Sequence, residues 1–145
     1  MYMIQGLEDF KTYNKAMDLG ESVRAMVAAW SYLKKYAIGK QLVRACDSIA
    51  ANLSEGLGRY HSNEVRNFTH DARGFAYETK TWLTKATSRN LIGTEERAEL
   101  IQRINEIGRM INGYIQSMGN RVNEPEAHYI SPTLTTNPYH LIPNT

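Results

Sequence analysis

The chain has 145 residues, 42% of them apolar and 22% charged, and carries a formal charge of +2. That is ordinary usage for one globular domain, and it excludes collagen-like, low-complexity and largely disordered chains. A single cysteine, Cys46, excludes an intrachain disulfide framework and a zinc site built on several thiolates.

Four helical patterns follow one another along the first 119 residues. The first spans about residues 7–35, with Phe10, Tyr13, Met17, Gly20, Val23, Val27 and Trp30 on one stripe at spacings of three or four. The second spans about residues 38–59, with Ile38, Leu42, Ala45, Ile49, Leu53 and Leu57 as its apolar face; Gly56, Gly58 and then residues 61–63 break it. The third starts after Ser62, a good N-cap, with Glu64 in the favourable first turn. Val65, Phe68, Ala72, Phe75, Thr79, Trp82 and Ala86 form its stripe, and it ends near Asn90, before Gly93. The fourth starts at Thr94, another N-cap, with Glu95 and Glu96 in the first turn, and ends at Gly119. Leu100, Ile104, Ile107, Ile111, Tyr114 and Met118 alternate spacings of four and three, the period of coiled-coil-like packing.

All four prolines lie after residue 124, and all ten glycines at or before residue 119. A proline inside a helix costs about 3 kcal/mol, so the proline-free stretch favours long helices. No alternating strand pattern competes. The fold class expected is all-α: an antiparallel up-and-down four-helix bundle over residues 1–119, with an extended proline-containing tail over residues 120–145. The tail has no charged residue after Glu126 and carries several large apolar side chains. It is expected to dock on an apolar groove of its own bundle or of a neighbouring subunit, with Tyr139 and Leu141 as anchors. No apolar run reaches the roughly 18 residues that a membrane helix needs. Residues 1–5 lack the basic and apolar regions of a signal peptide, so a cytoplasmic protein with no membrane partner is expected.

Residues for catalysis are sparse. Di-iron bundles use Glu-x-x-His pairs, and this sequence has none. His61 and Glu64 have the reverse spacing but straddle a helix start. Gly56-Leu57-Gly58 lacks the remainder of any nucleotide fingerprint, and no serine sits in a nucleophile elbow. Cys46 lies at the edge of an apolar stripe and reads as a buried structural thiol, with a cysteine hydrolase as the distant alternative. The expectation is a non-enzymatic protein with no catalytic residues, no metal and no cofactor.

Two polar stripes remain. On the second helix, Ser48, Asn52, Glu55 and Arg59 run at spacings of four, three and four beside the apolar face. They are read either as contacts to another helix or subunit, or as a solvated face with one acid-first ion pair. On the third helix, Arg66, His70, Arg73, Tyr77 and Lys80 run at spacings of four, three, four and three. This stripe lies roughly 200° from Phe68, Phe75 and Trp82, which predicts an outer face. Its cations and tyrosine suit a phosphate backbone and a stacked base, although Asp71 and Glu78 flank it, and the alternative is a plain solvated face. Homo-oligomerisation is expected from bulky apolar surface: Phe68, Phe75, Trp82 and Leu83 on the third helix, Trp30 and Leu33 on the first.

The stretch from Gln41 to Arg59 resembles the signature of the four-helix-bundle family named after 23S rRNA intervening sequences. That signature reads Q-L-R-R-A and then S-I-x-x-N-I-A-E-G-x-G-R. Gln41, Leu42, Arg44, Ala45, Ser48, Ile49, Asn52, Glu55, Gly56, Gly58 and Arg59 match it, while Leu53 and Ser54 depart mildly. Ala72-Arg73-Gly74 followed by Glu78 resembles a second motif, A-R-G-S-L-x-E, with Phe75 replacing its serine. The stretch from Glu106 to Gly113 resembles the last helix, and that from Leu7 to Tyr13 the opening. The resemblance implies a bacterial protein whose bundle associates as a ring, commonly a homopentamer. It also implies kinship with accessory proteins of diversity-generating retroelements, in which a basic pentameric barrel engages a reverse transcriptase and nucleic acid. It supplies no catalytic residues. Residues 1–119 hold 16 basic and 13 acidic residues, so a ring of subunits gathers a weak positive field into a useful one. The function expected is an oligomeric binding or scaffold protein engaging RNA or DNA. The alternative is a structural protein–protein interaction module whose ring holds a protein partner without nucleic acid.

Overall fold

The computed structural model of the protein describes residues 4–119. Among these there is no strand, and the chain forms four long helices: α1 (Lys11–Ala28), α2 (Lys40–Leu57), α3 (Ser62–Ser88) and α4 (Thr94–Gly119). A short 3-10 turn, Leu7–Asp9, leads into α1. A helical turn, Tyr32–Lys34, and a π turn, Lys35–Gly39, lead into α2. Each helix packs on the next in chain order, and α4 closes back on α1, which gives the up-and-down bundle its core. The tail and its expected anchors Tyr139 and Leu141 lie outside the described residues. No helix among the described residues is long and apolar enough to cross a membrane.

The core is built from branched aliphatic side chains: Leu19, Ile38, Leu42, Ile49, Leu53, Leu83, Ile104, Ile107 and Ile111 are fully buried. Burying one such side chain contributes about 1.5–3 kcal/mol before ordering costs. The α2 and α4 stripes lie where the spacing puts them, with Leu57 and Tyr114 only half-buried. Tyr114 meets Phe10 at 5.0 Å between ring centroids, which ties the end of α4 to the start of α1. On α1 the buried line is Thr12, Ala16, Leu19, Gly20, Val23 and Val27, and Met17 is 46% exposed. Between α1 and α4, Lys15 pairs with Glu106 at 3.1 Å and Arg103 donates to the Ser22 hydroxyl at 3.0 Å.

The first helix is shorter than its sequence pattern. A single helix to about residue 35 is expected; instead α1 stops at Ala28, Ser31 is extended, and helix resumes at Tyr32. No glycine or proline marks this turn. Gly39 permits it: a Cβ there would lie 2.5 Å from Val27 Cγ1, so only glycine lets the start of α2 fold back this closely on the end of α1. At the far end of α3, Asn90 takes a left-handed φ of 58°, which asparagine tolerates better than most residues. Its N–H donates to the Thr87 carbonyl at 3.0 Å and that of Leu91 to Ala86 at 2.9 Å, closing the helix end.

Candidate functional site

The rotation of α3 about its axis decides where its polar stripe lies. Its buried residues are Phe68, Thr69, Ala72, Ala76, Thr79, Leu83 and Ala86. Phe75 and Trp82, expected in the core stripe, are half-buried at the seam with α2. There Arg44 pairs with Glu78 and lies 6.0 Å from the Phe75 ring centroid, and Trp82 Nε1 donates to the same carboxylate at 3.5 Å. The core face is therefore turned toward Ala76 and Leu83. Each follows a stripe cation, Arg73 or Lys80, by three residues, or about 60° around the helix.

The basic stripe is consequently only partly an outer face. Arg66, Arg73 and Lys80 are half-buried along the α3–α4 seam, while His70 and Tyr77 are exposed. Arg66 sits at the end of this seam, 3.9 Å from where a Cβ on Gly119 would lie, and its Nε is buried with no hydrogen-bond partner among the described residues. Farther along, Arg73, Ala76, Tyr77 and Lys80 form one wall of a groove of about 190 Å³. Ile104, Asn105, Gly108, Arg109 and Asn112 of α4 form the other wall. Tyr77 is 59% exposed, with Arg73 Cζ at 6.0 Å and Lys80 Nζ at 5.2 Å from its ring centroid. No carboxylate lines the groove, and Arg73, Lys80 and Arg109 form no ion pair among the described residues. The flanking acids point elsewhere: Glu78 is taken by Arg44 on the α2 side, and Asp71 lies outside the groove. Sequence reasoning missed the α4 wall. Its signal was the polar spacing of four and three in Asn105, Arg109 and Asn112.

The second-helix stripe bonds largely within its own helix. Ser48 Oγ donates to the Arg44 carbonyl at 2.7 Å and Asn52 Nδ2 to the Ser48 carbonyl at 2.8 Å. Glu55 pairs with Arg59, whose guanidinium also reaches across to α3, 4.9 Å from the Phe68 ring centroid. Ser48 additionally lines an open depression of about 500 Å³ with Val27, Val43 and Ala51. Near it, at the α1–α2 corner, Tyr32, Leu33 and Tyr36 are 84%, 75% and 68% exposed. Of the bulky residues expected to drive association, Phe68 and Leu83 are in the core instead, while Leu33 is exposed at this corner beside Tyr32 and Tyr36; Leu7, Met17, Tyr60 and Tyr77 are exposed elsewhere. Cys46 is completely buried, and burial pushes its thiol up to about 12, which keeps it protonated and unreactive. No group of three or more His, Cys, Asp or Glu among the described residues is placed to hold a metal ion.

No curated protein matches the chain. A crystal structure from Bacteroides thetaiotaomicron, of a protein with unknown function from the S23 ribosomal protein family, superposes with a TM-score of 0.66 at 20% identity. The match covers 72% of this chain and 98% of that one, and shows a shared fold. The family described as 23S rRNA-intervening sequence protein matches residues 8–113, a span that holds all four helices except the last turns of α4. The chain belongs to the 23S rRNA-intervening sequence protein family.

Proposed function

We propose that this protein is a non-enzymatic, homo-oligomeric nucleic-acid-binding protein of the cytoplasm that takes RNA or DNA along the α3–α4 seam. One observation carries the reading: two cations lie over an exposed tyrosine and a third lines the facing wall, all without acidic partners among the described residues, in a groove that no carboxylate lines. Such cations hold phosphates and release counterions, so binding falls steeply with salt. A ring of five subunits, the number implied by the family resemblance, repeats the groove around its circumference and multiplies a modest field. The test is retention of generic RNA at about 50 mM salt, where non-specific binding is strong. The full chain is expected to bind and to release as salt rises, and the double variant Arg73→Glu, Lys80→Glu to lose retention while keeping its helical spectrum. An unaltered double variant contradicts the reading.

A second reading has its own support. The corner of Tyr32, Leu33 and Tyr36 exposes adjacent large apolar side chains, the mark of a protein-contact surface. In that reading the ring is a scaffold for a protein partner, such as the reverse transcriptase of the related retroelement proteins, and binds no nucleic acid. Absence of RNA retention at low salt favours it.

A further inference from the structure

We propose that the α3–α4 groove takes a single strand, with one unpaired base stacked on Tyr77 and the adjoining phosphates held by Arg73, Lys80 and Arg109. This rests on the nucleic-acid reading above and narrows it to one form of ligand. Tyr77 presents a ring that is 59% exposed, and the cations one turn before and one turn after it lie over that ring, Arg73 Cζ at 6.0 Å and Lys80 Nζ at 5.2 Å from its centroid, so a stacking base takes the place of one of them and frees it for a phosphate. An aromatic face stacks any base, and cations beside it meet the phosphates on either side of that base.

The opposite wall completes the recess. Asn105 and Asn112 carry side-chain amides, each offering both donors and an acceptor to a base edge without preferring one sequence strongly. Between them lies Gly108, where an added Cβ would meet nothing within 4 Å, so the floor has open room for a ring. At about 190 Å³ the groove is smaller than the roughly 300–1,000 Å³ of small-molecule pockets, and it is open along the seam as a strand requires.

The same features disfavour a duplex. Double-stranded nucleic acid keeps its bases stacked inside, and reaching a base edge takes a helix or strand that enters a groove. Here α3 is flanked by α2 and α4, and Arg73 and Lys80 are half-buried rather than projecting. A paired base would have to leave its stack to reach Tyr77, and an unpaired base has no such cost.

The experiment is fluorescence anisotropy with the full chain, comparing a short labelled RNA strand with the same strand annealed to its complement, at about 50 mM salt. The single strand is expected to bind at least about tenfold more tightly than the duplex, with Tyr77→Ala weakening it about 5- to 150-fold, the range found for loss of one stacked base. Because stacking involves no counterion, Tyr77→Ala should leave the salt slope unchanged, and Tyr77→Phe should retain affinity. Gly108→Leu, which fills the floor without touching a cation, should weaken the single strand as well. Equal binding of both forms, or single-strand binding that survives both Tyr77→Ala and Gly108→Leu, overturns this proposal and leaves the broader nucleic-acid reading standing. Binding of neither form overturns both.

Discussion

Asp71 shows how a single polar atom is tolerated beside a helix seam. One of its carboxylate oxygens is buried without a hydrogen-bond partner among the described residues. Burial raises its pKa above the ordinary carboxylate value, and the neighbouring His70 pulls it partly back. The folded chain therefore holds this proton more tightly than the unfolded one. The contribution to stability is fully present below the unfolded carboxylate value and is lost as pH rises through the folded value. Asp71→Asn, which resembles the protonated form, is expected to raise Tm at about pH 7 and to leave it unchanged near pH 3. Thermal unfolding followed by circular dichroism at both values checks this, and a lower Tm for the variant at neutral pH contradicts it. Arg44 makes the opposite use of its position: it pairs with Glu78, its Nε donates to Gln41 Oε1 at 3.2 Å, and it joins α2 to α3.

At the scale of helices, legibility depended on how the core is filled. On α4 the residues Leu100, Ile104, Ile107 and Ile111 are all large and all buried, so hydrophobic spacing alone locates the face. On α3 it places Phe68, Ala72, Thr79 and Ala86 correctly but misplaces Phe75 and Trp82, because the buried line also takes small residues. Ala72, Ala76 and Thr79 occupy the buried line, and the larger Phe75 and Trp82 are displaced to the seam with α2. A reading weighted by side-chain size thus turned the helix and placed the basic stripe outside. Arg73, Tyr77 and Lys80 were legible as one stripe, but their groove depends on α4, which only the tertiary packing brings alongside. The α1–α2 turn was illegible for a related reason, since it rests on the contact of Gly39 with Val27 and not on local turn residues. Close approach also governs the α2–α3 corner. A Cβ on Gly56 would lie 2.9 Å from Phe68 Cβ and 3.3 Å from the Val65 carbonyl, while one on Gly113 would meet nothing. Gly56→Ala is expected to cost about 1–3 kcal/mol through overpacking, and Gly113→Ala to stabilise by about 0.5–1 kcal/mol as a helix-interior substitution. Denaturant titration of both variants measures this, and stabilisation by Gly56→Ala would show that the corner is not tightly closed.

At the scale of the whole molecule, two of the surfaces that the described residues leave outside the core lie on different helix pairs. The α1–α2 corner, with Leu33 and Tyr36 exposed beside an apolar depression, suits association between copies. Light scattering is expected to give a multiple of the 16.5 kDa chain mass, and Leu33→Glu with Tyr36→Glu to lower it. A wild-type chain that scatters as a monomer contradicts the oligomer. The α3–α4 seam, with its cations and tyrosine, is the surface proposed above for nucleic acid. Ultraviolet cross-linking of the full chain to single-stranded RNA, followed by tryptic peptide mapping, tests that assignment most directly. Cleavage at Arg73 and Lys80 releases residues 74–80 as one peptide containing Tyr77. The account predicts that the nucleotide adduct falls on that peptide and disappears with Tyr77→Ala; adducts confined to the peptides holding Tyr32, Tyr36 or Tyr60, or no adduct at all, would contradict it.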